Sequence, residues 1–329
     1  MRTMYRRIGL LLFLVAAISA FVLYWTVDAN TLQSLGQFRP ASLLLVAALS
    51  VGGLYFDAAR LVRLTAIAGG RTVTLREAYQ VVFGNYFLAM LTPGAAGGAF
   101  AQVLFLRRAG VPTGKATILV LVRTLLSILV LFLFAPLVFW FDGDVLPGLS
   151  QGVLLAGSLV ILLSMLALPV FFRTSLPDAL VLLLVRRLRR ARRRRLVNLY
   201  KDVRNAVQLL SAAPGQMLLV LLQSAASLFL LYALVPALLW GLGGSGDFLT
   251  IMGRIVLLNI LLYVAPTPGG AGIAEGGFVL LLQSLAAPGT VGVAALAWRV
   301  AAEYIPFGLG AIAVVQTFGR DFMRKIQSA

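Results

Sequence analysis

Residues 264–278 read VAPTPGGAGIAEGGF. Pro266, Pro268 and the glycines break helices, and Glu275 is a lone carboxylate, yet the flanking segments are strongly apolar. Breakers and charge within an oil-like sequence need a structural reason. Hydrocarbon offers the backbone no hydrogen bonds, so irregular chain at that depth survives only buried in protein or lining a polar cavity.

The oil-like character is general. Mean hydropathy is +0.97 and only 12% of the 329 residues are charged, and several apolar runs reach membrane-spanning length. Spans are expected at 8–26, 41–62, 116–141, 150–172, 215–240 and 290–318, with less regular apolar pieces at 77–106 and 248–286. The first span is followed by no small-residue cleavage site, so it reads as an anchor and not a cleaved signal. The predicted fold class is an all-α polytopic membrane protein. With no cysteine and no histidine, disulfides, thiolate or imidazole metal sites and a Ser-His-Asp triad are absent from the chain. The eleven acidic residues are scattered, so an enzyme is disfavoured, and no cofactor or metal is expected. GVPTGKA (110–116) is one residue short of a phosphate-binding loop and has Ala in place of Ser or Thr.

Charge gives the orientation. The run RRLRRARRRR (186–195) holds eight of the 28 basic residues. It reads as a cytoplasmic stop-transfer signal and as a segment drawn to an anionic lipid surface. Lacking aromatic stacking residues, it does not read as a nucleic-acid site. All basic residues except Arg39, Arg123, Arg254 and Arg299 fall in the N-terminus, 60–76, 107–115, 173–204 and 320–325. The loops between, 27–37, 141–148 and 241–247, are acidic or uncharged. Both termini are therefore expected in the cytoplasm. The segment 77–115 has basic, cytoplasmic ends but is too short for two spans of about 20 residues each. A re-entrant pair of half-helices bending at TPGAAGG (92–98) resolves the conflict.

TPGGAG (267–272) repeats that motif 175 residues later. Pro112 and Arg123 are spaced like Pro288 and Arg299, and 41–62 corresponds to 216–237. The chain reads as an internal duplication, 41–141 and 216–318, joined by a basic linker at 173–214. The first copy enters its hairpin from the cytoplasm and the second from outside, so the repeat is inverted, as in secondary transporters. Half-helix N-termini meeting near the midplane make an anion site. The candidate substrate-binding residues are Thr92, Pro93, Gly94, Gly97, Gly98 and Arg123 in the first copy. In the second they are Thr267, Pro268, Gly269, Gly270, Gly272, Glu275, Arg299 and Glu303.

Each has a plainer alternative. Gly94–Gly98 and Gly272–Gly276 match a G-x-x-x-G packing pattern. Arg299 and Glu303, four apart, form a structural ion pair or a phosphate site with a proton carrier. Glu275 either caps the helix and compensates its dipole, or binds a cationic headgroup or carries a proton. Arg123 snorkels to the interface or mirrors Arg299. Asp57 and Arg60, three apart, are expected to pair near the inner end of their span, at the interface, and Arg254 lies near the outer end of its segment, attracting headgroups.

GNYFLAMLTPGAAGGAFAQVLFLRRAGVPTGKATILVLVRTL (84–125) and APTPGGAGIAEGGFVLLLQ (265–283) resemble the flippase-like membrane domain of the lysylphosphatidylglycerol synthase (multiple peptide resistance factor) family, in its stand-alone form. The resemblance covers nearly the whole chain. It implies a domain of the cytoplasmic membrane that moves a phospholipid or lipid-linked headgroup between leaflets. The chain stops at Ala329, so no synthase domain and no lipid aminoacylation are expected. Many relatives carry an acidic residue where this chain has GAFAQ (98–102), and its role does not transfer. A lipid translocase, a scaffold presenting lipid to a partner enzyme and a transporter of a small soluble anion all fit these features. Membrane phospholipids are the expected partners. A homo-oligomer or a partner enzyme remains open.

Overall fold

The computed structural model describes residues 38–142, 150–171 and 213–327, with Gly36 and isolated positions between 174 and 209. The span expected at 8–26 and most of the arginine run lie outside these residues. Of that run, Arg190, Arg193 and Arg194 are described and exposed.

The described chain is helical. In order come α1 (Pro40–Ile67), α2 (Leu75–Met90), α3 (Ala96–Arg108), α4 (Thr113–Phe141) and α5 (Gln151–Phe171). After the linker come α6 (Pro214–Tyr232), α7 (Leu234–Gly241), α8 (Phe248–Tyr263), α9 (Ile273–Leu282), α10 (Val291–Arg299) and α11 (Ile305–Gln327). A π-helical turn, Val300–Tyr304, joins the last two. Among the described residues, Pro40–Ile67, Thr113–Phe141, Pro214–Gly241 and Val291–Phe318 are long and apolar enough to cross a membrane. α5 adds a further apolar stretch, Gln151–Ala167. Large apolar side chains face outward, Leu44 73% and Trp140 68% exposed, as a lipid-facing surface requires. This is an all-α polytopic membrane protein.

Local chemistry sets the helix ends. Pro40 and Pro214 sit in the first turn of α1 and α6, where a missing N–H costs nothing. Thr74 and Glu77 form a reciprocal capping box on α2, and Asp247 caps α8 by accepting from Thr250 N–H at 3.0 Å. The break between α6 and α7 falls at Ala233, three residues before Pro236, whose ring displaces the carbonyl one turn earlier. Pro306 follows the π turn in the same way.

α2 with α3, and α8 with α9, form two helical hairpins. Their helices have 16, 13, 16 and 10 residues. At 1.5 Å per residue these are roughly 15–24 Å long, short of the ~30 Å hydrocarbon core.

The turns between them share one conformation. Gly94 has φ 60° and Gly269 φ 59°, followed by Ala95 at 52° and Gly270 at 66°. In each, the N–H two residues after the proline donates to the threonine carbonyl, Ala95 to Thr92 and Gly270 to Thr267. The next N–H donates to the proline carbonyl, Ala96 to Pro93 and Ala271 to Pro268. A single antiparallel β-bridge pairs Pro93 with Pro268, so the tips touch.

Helices far apart in the chain pack together. α1 packs along α6, α4 along α8, and α11 along α2. A Cβ on Gly310 of α11 would lie 2.3 Å from the Phe83 carbonyl of α2, so only glycine permits that approach. α4 supplies Leu119 and Val122 to one apolar core and Leu131 and Phe139 to the other.

Candidate functional site

The candidate residues of both motifs gather at the hairpin junction. Thr92 closes its own turn: its hydroxyl donates to the Leu88 carbonyl at 2.8 Å and accepts from Gly97 N–H at 2.8 Å. Gly97 and Gly98 let α3 lie close to α2, since added Cβ atoms would meet the Leu88 carbonyl at 2.7 Å and Asn85 Oδ1 at 2.4 Å. In the second motif Gly272 and Gly276 press on nothing, and Gly277 is the glycine at a contact, against Leu258. Close packing therefore accounts for Gly98 alone among the four glycines of the two G-x-x-x-G patterns. Thr267 Oγ1 is buried with no hydrogen-bond partner among the described residues. Gly272 N–H donates to Glu275 at 2.8 Å, so a side chain of the protein already occupies that helix start.

A first charged cluster lies beside this junction. Asp57 of α1 accepts from Arg60 Nε at 2.7 Å and, through its other oxygen, from Arg123 Nη2 at 2.5 Å. Arg60 Nη1 donates to Ser127 Oγ at 2.9 Å. Arg123 Nη1 donates to Gln102 Oε1 at 2.7 Å, and Gln102 Nε2 donates to Asn85 Oδ1 at 2.8 Å. Asp57 and Arg60 are each 4% exposed, and the pairing expected of them is formed inside the protein. Arg123 is buried in the same way and does not snorkel. The physical reason is pairing: a charge in hydrocarbon costs at least ~2.5–3.5 kcal/mol, which a hydrogen-bonded partner offsets. Two guanidiniums share one carboxylate, so the cluster is net positive, and Arg123 Nε has no hydrogen-bond partner among the described residues.

The second cluster has the opposite sign. Arg299, 1% exposed, donates from Nε to Glu275 at 2.9 Å and from Nη1 to Glu303 and to the Gly269 carbonyl at 3.0 Å. Its guanidinium lies 5.6 Å from the Tyr304 ring centre. Two carboxylates here share one guanidinium. Arg123 and Arg299 hold corresponding places in the two motifs but stand in opposite electrostatic surroundings.

Two hollows flank the tips. The larger, about 490 Å³, is lined by the first cluster together with Gly94, Ala95, Gln102 and Asn259. The smaller, about 220 Å³, is lined by Thr267, Gly269, Gly270 and Glu303. Asn85, Tyr86, Ala95, Asn259, Leu262 and Tyr263 border both. Arg299 borders neither; it contacts the lining residues Glu303 and Gly269. Arg254, expected to face headgroups, instead binds Asp142 at 2.7 Å, the Leu281 carbonyl at 2.8 Å and Ser284 at 3.1 Å. It ties the second hairpin to the end of α4.

A model of the lysylphosphatidylglycerol synthase transmembrane region matches residues 10–310. The chain belongs to that family. A UPF0104 membrane protein of Archaeoglobus fulgidus is 23% identical to it over 307 residues, 91% of this chain and 93% of that protein. The family match spans both hairpins and both charged clusters, so the junction lies within the family domain.

Asp57, Arg60, Asn85, Gln102, Ser127 and Asn259 were not among the sequence candidates for the site. One signal pointed to them: Asp57 is the single carboxylate within 41–62, and an intramembrane carboxylate demands a cation.

Proposed function

We propose that the protein moves a lipid with a phosphate-bearing headgroup between the leaflets of the cytoplasmic membrane. The path follows the junction of two inverted repeats whose hairpins re-enter the membrane. The observation that carries this reading is the pair of hollows bordering the same hairpin tips, one net positive and one bearing Glu303. The touching of corresponding prolines and the packing together of helices far apart in the chain support the inverted arrangement, because antiparallel pairing of equivalent residues is what a two-fold axis in the membrane plane produces. The basic loops support cytoplasmic termini.

In this mechanism the headgroup phosphate approaches Arg60 and Arg123 in the larger hollow and competes with Asp57 for their donors. Arginine forks suit such an exchange because phosphate accepts the same paired N–H groups as carboxylate. Asn85 and Asn259 then offer polar contacts past the tips, replacing part of the hydration that a charged headgroup loses over ~30 Å of hydrocarbon. Glu303 sets the charge on the far side. The acyl chains stay in lipid throughout.

The test uses liposomes containing phosphatidylglycerol labelled on its headgroup and an impermeant reductant that quenches the outer leaflet. The purified protein is expected to expose the inner label without ATP, and Arg60→Gln and Arg123→Gln to slow that exposure at least about tenfold, the equivalent of 1.4 kcal/mol. A wild-type rate equal to that of protein-free liposomes, with and without a pH gradient, refutes movement of this lipid.

A further inference from the structure

A third hollow, about 170 Å³, lies between α4, α6 and α8 and is lined almost wholly by apolar and aromatic side chains, among them Phe134, Phe141, Phe229, Met252 and Val256. Val256 and Tyr232 are buried at its floor, while Phe141, Phe229 and Leu249 stand exposed at its rim. Among the described residues nothing covers this rim.

Its position relative to the polar hollow is specific. On α4, Arg123 and Ser127 border the polar hollow, and Phe134, Val138 and Phe141 border the apolar one. These residues recur at intervals of three, four and seven, so they share one helix face. On α8, Asn259 and Tyr263 border the polar hollow, and Met252 and Val256 on the same face border the apolar one. On α6, neighbouring residues divide between them, Leu228 to one and Phe229 to the other. From Ser127 to Phe134 is roughly 10 Å along the α4 axis. Two helix faces thus change from polar to apolar in step, over a distance that suits a headgroup and the start of its chain.

The geometry points to the apolar hollow as an acyl-chain subsite, occupied by a hydrocarbon chain of the same lipid whose phosphate sits at Arg60 and Arg123. This assignment rests on the function proposed above. Physical chemistry makes it selective in one way only. Lipid tails are as apolar as the groove, so no hydrophobic gain draws a chain in from the bilayer. Occupancy by a particular lipid must come from tethering: a headgroup held in the polar hollow raises the effective concentration of its own chain at the groove. A groove filled by bulk lipid shows no headgroup preference.

The chain contains no native cysteine, so single labels are clean. Leu249→Cys on the exposed rim would carry a fluorophore, in nanodiscs of phosphatidylcholine doped with either phosphatidylglycerol or phosphatidylcholine brominated on its chains. Bromine quenches on contact. Brominated phosphatidylglycerol is expected to quench about twofold or more beyond brominated phosphatidylcholine. The same label at Leu44→Cys, on the outer face of α1, should show no preference. Arg123→Gln should abolish the preference. Met252→Trp, which fills the groove without touching the charged cluster, should do so too, and it decides the matter if Arg123→Gln does not fold. A parallel measurement reads the polar hollow alone: Ala99→Cys, which borders it, should be shielded from a water-soluble thiol reagent by glycerophosphoglycerol. Shielding at residue 99 with equal quenching by both lipids at residue 249 overturns the acyl-chain assignment and leaves the proposed function standing. Absence of both effects overturns the two together.

Discussion

Pro93 and Pro268 stand 175 positions apart in the chain and meet in an antiparallel bridge at the tips of two hairpins. Their turns match in backbone angles and in hydrogen bonds. Cα atoms in such a pair lie about 4.5–5.5 Å apart, within the reach of a disulfide. Cysteines at both positions in this cysteine-free chain are therefore expected to cross-link in membranes on mild oxidation, giving a product of altered mobility on a gel. The linked protein should lose translocation and regain it on reduction. Failure to cross-link would show that the tips do not meet.

The opposite charge of the two clusters predicts unequal consequences for corresponding substitutions. Arg123→Gln leaves Asp57 paired with Arg60, a neutral remainder. Arg299→Gln leaves buried Glu275 and the hollow-lining Glu303 side by side without their shared cation. Uncovering a buried charge costs about 3–5 kcal/mol, so Arg299→Gln should be the far less stable variant in detergent melts. Adding Glu275→Gln should recover part of the loss. Equal melting of the two arginine variants would mean that the clusters are not the charge sets described.

Asp57 holds two arginines, so Asp57→Asn should leave them repelling each other. Asp57→Asn/Arg60→Gln restores the original net charge and is expected to melt higher than Asp57→Asn alone. The two side chains are in contact, and coupling between contacting residues runs to about 0.5–3 kcal/mol. Additive effects in thermal denaturation would contradict the shared hydrogen bonds.

The turns supply a local test. Gly94 and Gly269 adopt left-handed angles, which cost a residue bearing a Cβ about 1–2 kcal/mol. Gly269→Ala also places a Cβ 3.4 Å from Met90 Cα in the opposite tip. It is expected to lower stability by that amount, whereas Ala95→Gly, which relieves the one non-glycine left-handed residue among those described, should be neutral or stabilising. Calorimetry of the three proteins in one detergent reads the difference.

Much of this was legible in the residues, and the rest was hidden for a physical reason. Breakers at 92–98 and 267–272 announced the hairpins because proline and glycine act locally. The Arg299–Glu303 pair was visible because four residues make one helical turn, and Glu275 because it lies in the first turn after a glycine. The Asp57–Arg123 contact joins residues 66 apart on two spans, and no local pattern reports which faces of two apolar helices meet. Gln102 and Asn85 were invisible for the same reason. Arg254 misled, since its carboxylate partner lies 112 residues away.

The packing together of helices far apart in the chain also governs biosynthesis. α2 is completed at Met90, but the helix that covers it, α11, begins at Ile305 and reaches it through Phe307 on Phe87 and Gly310 on Phe83. At about 5–20 residues per second, the ribosome takes roughly 10–45 s to make the chain between them. Throughout that interval the first hairpin lacks the cover of α11, and its turn and charged neighbours are open to whatever lies alongside. A newborn chain that stalls in the basic linker therefore presents the insertion machinery with an unfinished half, and membrane proteases with a window in which to remove it.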